Sequence, residues 1–194
     1  MTDRLSGVGS PDREARARTF NQFAHCYEPS WATWRHERDG TTTLLGAIVN
    51  RSPEDRAAIA NLLLDDGADP ALGDSDGFTP LHSLLGSANL DPSVDIPLMR
   101  RLIDGGADLN RVARQVGSPL RALLTNMDLL DPETRAIFEA FLDYPGIEVL
   151  AKAKNGNTHL ETARRMEFQW RTDLLEDYLR REGIDVPPPI ETTS

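Results

Sequence analysis

Apolar residues in this chain recur in pairs four positions apart: Ile59 with Leu63 and Leu64, Leu98 with Leu102 and Ile103, Ile137 and Phe138 with Phe141 and Leu142, Leu174 and Leu175 with Tyr178 and Leu179. That spacing lines one face of an α-helix and leaves the other faces polar, so four amphipathic helices are predicted. Their ends are marked. Ser52-Pro53 and Asp131-Pro132 pair a capping side chain with a proline that needs no donor at the first helical position, and Gly67, Gly106 and Gly183 stand where helices of this kind end. The stretch LDPSVDIPLM is less regular, and Pro97 predicts that the second of these helices starts late, near Asp95.

Shorter apolar runs precede each of the four. TTLL, TPLH, SPLR and THLE place Leu44, Leu81, Leu120 and Leu160 at separations of 37, 39 and 40 residues. The alignment extends backwards without a gap over 16 residues in three copies, GADPALGDSDGFTPLH from Gly67, GADLNRVARQVGSPLR from Gly106 and GIEVLAKAKNGNTHLE from Gly146. A period of this length signals stacked supersecondary units, none of which buries its apolar face alone.

The motifs TPLH at Thr79 to His82 and GAD at Gly67 to Asp69 and Gly106 to Asp108 resemble those of ankyrin repeats, over roughly residues 30–185. The resemblance implies an all-α solenoid of about four helix-loop-helix units with short hairpin-like turns. The units would run about 30–66, 67–105, 106–145 and 146–183, behind an N-terminal capping helix over 10–29 and between flexible ends at 1–9 and 186–194. Thr79 would cap an inner helix, Pro80 would occupy its first position and Leu81 would point into the stack. In this family a histidine at the His82 position hydrogen-bonds locally and is structural. Departures are clear. The family's proline is replaced by Thr43 and His159 in the outermost units, its histidine by Leu45, Arg121 and Glu161, and the periods exceed the usual ~33 residues, with most of the excess in NRSPED, GSANLDPSVD and TNMDLLDPET.

At the N-terminal end, Ser10-Pro11 is expected to open one helix whose Phe20, Phe23 and Tyr27 share a face until Pro29 breaks it. Trp31 and Trp34 follow, and the group is read as a lid on the first unit, with an aromatic anchor for a partner as the rival. At the other end, GIDVPPPIETTS starts like a hairpin and becomes extended.

Charge narrows the partners. The net charge of −10 is concentrated in residues 41–110, which carry four basic and eleven acidic side chains. Such a field repels phosphate backbones and anionic lipid, so neither nucleic acid nor membrane is expected as a partner. There is no run of ~18 apolar residues and no apolar leader, and the one cysteine, Cys26, forms no intrachain disulfide. A cytoplasmic protein, monomeric when unbound, is the expectation.

Candidate chemistry is sparse. Asp74 to Gly77 reads D-x-D-G, the opening of a calcium loop, but the fifth, sixth and twelfth positions are Phe78, Thr79 and Leu85, so the segment is read instead as a hairpin tip. No phosphate-binding glycine loop, nucleophile elbow or H-E-x-x-H occurs, and His25, His36, His82 and His159 do not fall at a metal-site spacing. Neither catalysis nor a metal or other cofactor is expected.

Recognition of another protein remains. In ankyrin proteins the hairpin tips and the open face of the inner helices hold the partner, and that resemblance places the contact positions at Arg38, Asp39, Thr41 and Asn50; Ser75, Asp76, Phe78 and Ser87; Arg114, Gln115 and Asn126; and Lys154, Asn155, Asn157 and Arg165. Phe78 stands out as an aromatic on an expected exposed turn. The row runs from acidic to basic along the stack. Arginine outnumbers lysine 19 to 2, a bias common in GC-rich bacteria, where small ankyrin proteins often neutralise toxins. An immunity or antitoxin-type inhibitor of a basic toxin or enzyme is thus the leading expectation, and an exported effector or a scaffold subunit of an enzyme complex is the alternative.

Overall fold

The structure, a computed structural model, describes residues 9–126, 132–166 and 168–189. Residues 1–8 and 190–194 of the ends expected to be flexible, 1–9 and 186–194, and most of the third long loop lie outside the described residues, as does the expected cap Asp131.

The protein is all-α. Ten α-helices are present among the described residues: α1 (Pro11–Ala17), α2 (Phe20–Cys26), α3 (Thr43–Ile48), α4 (Pro53–Asp65), α5 (Pro80–Leu85), α6 (Pro92–Asp104), α7 (Pro119–Thr125), α8 (Pro132–Leu142), α9 (His159–Arg164) and α10 (Gln169–Arg181). A 3₁₀ turn over Pro29–Trp31 and three isolated antiparallel bridges complete the regular structure of those residues. The short helices α3, α5, α7 and α9 pack each on the next, and so do the longer α4, α6, α8 and α10. Two parallel rows result, with one continuous apolar core between them.

Local chemistry explains the boundaries. Thr42, Ser52, Ser118 and Thr158 each accept a backbone N–H three residues on, satisfying a donor that the helix leaves orphaned. Gly67, Gly106 and Gly183 have φ of 91°, 107° and 71°. The residue after each returns its N–H to the helix (Ala68 to Leu63, Ala107 to Leu102, Ile184 to Leu179), the glycine-dependent closure of a helix C-terminus. Leu63, Leu102 and Leu179, on the face turned to the core, are fully buried.

Three expectations change. α6 begins at Pro92 behind the cap Asp91, so Pro97 lies inside the helix rather than before it. It costs little there because it faces solvent, where water can reach the Ser93 carbonyl it leaves without a donor. The N-terminal helix is two helices. Arg18 turns extended and ends α1, and Thr19 and Gln22 form a capping box that starts α2. Both serve as a lid: α1 lies on α3, α2 on α4, and Phe23 is fully buried beside Tyr27 and Trp31. The tail expected to be flexible from 186 begins docked, with Val186 against the core and the Pro187 carbonyl accepting from Arg164.

Candidate functional site

α4, α6 and α8 each hand the chain to a hairpin tip, a further tip precedes α3, and the tips make their own turns. The Asp74 carboxylate accepts the N–H groups of Asp76 and Phe78, both at 2.9 Å, while Gly77 takes φ 80°. The D-x-D-G segment therefore spends its first carboxylate on its own backbone. Asp39 does the same for Thr41, and Asn155 for Asn157. The backbone N–H of Thr41 holds the Asp39 carboxyl below the ordinary range, with His36 adding to the effect.

Successive tips are bonded to one another. The Ser75 N–H donates to the Asp39 carbonyl at 2.7 Å, the Arg114 N–H to the Asp76 carbonyl at 2.8 Å, and the Lys154 ammonium to the Arg114 carbonyl. Arg114 also pairs with the Asp76 carboxylate at 3.2 Å. The first two bonds use backbone atoms alone and the third uses the Lys154 side chain, while Arg38, Asp39, Ser75, Arg114, Gln115, Lys154 and Asn155 stay exposed on a row of fixed spacing. Thr41, Asp76 and Asn157 are half-buried in the same row, and Arg165 is exposed at the end of α9.

Beside the tips lies the outer surface of the short helices. Fully buried His82 joins the two regions. Its Nδ1 accepts the Thr79 N–H at 3.2 Å and, at 2.8 Å, the Thr79 hydroxyl, while Nε2–H donates to the carbonyls of Arg111 and Gly117, each at 2.9 Å. Only the neutral ring with its proton on Nε2 satisfies all four, and burial lowers its pKa accordingly. Phe78 is half-buried, its ring centroid 5.6 Å from that of His82. It is part of the wall of a shallow depression of about 440 Å³ between α3 and α7, along with Val49, Ser87 and Val116. Phe78 therefore contributes to packing as well as to the surface.

Two expected contact residues have a different role. Asn50 and Asn126 are buried. Asn50 donates to the carbonyls of Ala15 and Arg18, and Asn126 to those of Leu85 and Ser87, so each ties its own unit to the one before. The residues follow short helices whose last carbonyls need partners, and an amide reaches back across the interface to supply them.

A second cleft, of about 240 Å³, opens between the third and fourth tips. Arg114, Arg121, Lys152 and Lys154 line it with the apolar Val112 and Ala151, and Glu148 is the acid of its lining. At its base His159 is buried, with Nε2 3.0 Å from the Ser118 hydroxyl. Burial, reinforced by the Arg121 charge, pushes the His159 pKa down to about 4. Arg121, Lys152 and His159 were not foreseen as contact residues, although the missing proline at 159 was the visible signal. Among the described residues no three His, Cys, Asp or Glu side chains come together to hold a metal ion, and no helix is long and apolar enough to cross a membrane.

No protein-family model matches the chain, and neither does any curated protein. Among solved structures it is similar to a functionally unknown protein from Leptotrichia buccalis, with a TM-score of 0.73 at 19% identity, over 91% of this chain and 96% of that one. A likeness at that identity is one of fold.

Proposed function

We propose that this chain is an ankyrin-repeat module that binds another protein along its row of hairpin tips and the adjoining surface of α3, α5, α7 and α9. The observation that carries the reading is the bonded row of tips. Backbone bonds join Asp39 to Ser75 and Asp76 to Arg114, and the Lys154 ammonium joins the fourth tip to the Arg114 carbonyl, so the exposed side chains of the row are held at fixed spacing before a partner arrives. Preorganisation of this kind lowers the entropy lost on binding. The two-row helix packing, the glycine-closed helix ends and the Thr79–His82 box support the repeat assignment.

The partner we favour is a basic toxin or enzyme that the module inhibits. Residues 41–110 carry most of the negative charge, and a basic surface would be steered towards it. The test is capture of a co-expressed partner encoded beside this gene, compared for the wild type, Arg38→Ala and Phe78→Ala. We expect at least tenfold weaker capture for each, with Arg38→Ala unchanged in thermal melting. Undiminished capture by both variants would move the site off this face, to the long loops between the helices of each unit.

A further inference from the structure

We infer that the cleft between the third and fourth tips is a carboxylate site, which takes an aspartate or glutamate side chain of the bound protein together with a neighbouring aliphatic residue. The inference rests on the protein-binding reading above and names the chemistry of one contact within it.

Charge comes first. In a chain of net charge −10, both lysines, Lys152 and Lys154, and two arginines, Arg114 and Arg121, line one small cleft against the single acid Glu148. Positive charge gathered in a cleft with apolar walls focuses its field on whatever enters.

The polar atoms below are unmatched. Arg121 Nη1 and His159 Nδ1 are both buried and lack a hydrogen-bond partner, a condition that costs stability unless a partner arrives. Arg121 Nη1 is a donor in every state, and His159 Nδ1 is one whenever the Ser118 hydroxyl, which accepts the Arg121 N–H at 3.3 Å, donates to Nε2 3.0 Å away. Both then call for an acceptor. A guanidinium edge matches the two oxygens of a carboxylate.

The apolar part of the cleft specifies the rest. Val112 is 68% exposed, the most exposed large hydrophobic residue among those described, and it stands at the cleft with Ala113, Leu120, Ala151 and Ala153. The volume of about 240 Å³ is below that of a drug-sized ligand site and suits one or two side chains. The ring that makes the base of the cleft also marks a departure from the chain's own pattern, because the positions equivalent to His159 in the two preceding units are Pro80 and Pro119, both buried.

The experiment titrates the full chain, labelled with ¹⁵N, with the blocked peptide acetyl-Leu-Glu-Leu-amide and with its Gln counterpart. We expect the Glu peptide to shift the amide signals of Ala113, Ala151 and Ala153 and to bind at least tenfold more tightly than the Gln peptide. Arg121→Gln and Lys152→Gln should each remove most of that difference. So should His159→Pro, which restores the residue of the two preceding units and serves as the variant least prone to unfold. Equal binding of the two peptides, no binding of either, or binding of inorganic phosphate or N-acetyl-leucine in place of the Glu peptide would each overturn the carboxylate assignment. None of these results touches partner capture through Arg38 and Phe78, so the two readings fail separately.

Discussion

Arg56 and Asp95 form a two-pronged ion pair wholly shut off from water, with Nε 3.0 Å from Oδ1 and Nη2 2.6 Å from Oδ2. The pair joins α4 to α6, and every nitrogen of the guanidinium has an acceptor. The same guanidinium donates to the carbonyls of Asn50 and Asn89, and Asp95 also accepts the Asp91 N–H at the start of α6. Burying two charges is costly, and removing one partner leaves the other stranded. Asp95→Asn or Arg56→Ala should therefore lower stability by about 3–5 kcal/mol, read as a reduced urea midpoint. Replacing both by Arg56→Met and Asp95→Leu should recover most of the loss.

Gly46, in the middle of α3, is needed for close approach rather than for its φ. A Cβ there would overlap the Asp12 backbone of α1. Gly46→Ala should cost about 1–3 kcal/mol, the usual range for overpacking, even though alanine is the better helix former. Faster amide hydrogen exchange confined to α1 and α2 would identify the displaced lid; uniform protection would show that the lid does not depend on this contact.

Acid should weaken the protein partly through His159. Its folded pKa of about 4 lies below the ordinary 6.5, so the neutral ring stabilises the fold fully above pH ~6.5 and progressively less as the pH falls towards 4. The wild type should lose about 2–3 kcal/mol relative to His159→Asn between pH 7.5 and pH 4.5. Urea melts at the two pH values measure the difference, and parallel losses in both proteins would remove His159 as the cause. His82 shifts in the same direction for the same reason, burial.

Arg114 is exposed and Asp76 half-buried, and their pair at 3.2 Å, open to water, contributes little to folding. The bond that fixes the tip is the Arg114 backbone N–H, which any residue but proline retains. Arg114→Ala should leave the thermal melt nearly unchanged, within about 0.5 kcal/mol, while Arg114→Pro should lower it. Equal effects would mean that the side chain, not the backbone, holds the third tip.

Most helix positions, the cap Ser52 and the glycine ends could be read from the chain, because each depends on residues within a turn or two of one another. Ser52 and Gly67 announce their roles through local backbone chemistry wherever they occur. Thr19 and Gln22 carried the same kind of signal, outweighed by an aromatic stripe that ran through it.

What the order of residues could not disclose is which polar groups meet across units. Arg56 and Asp95 are 39 positions apart, Asn50 looks like a surface amide until α1 is laid against it, and His159 resembles mere decay of a motif until Arg121 and Lys152 are seen around it. Periodicity sorts residues by face. Pairing between faces depends on how one unit is seated on the next, and only the packed chain settles that.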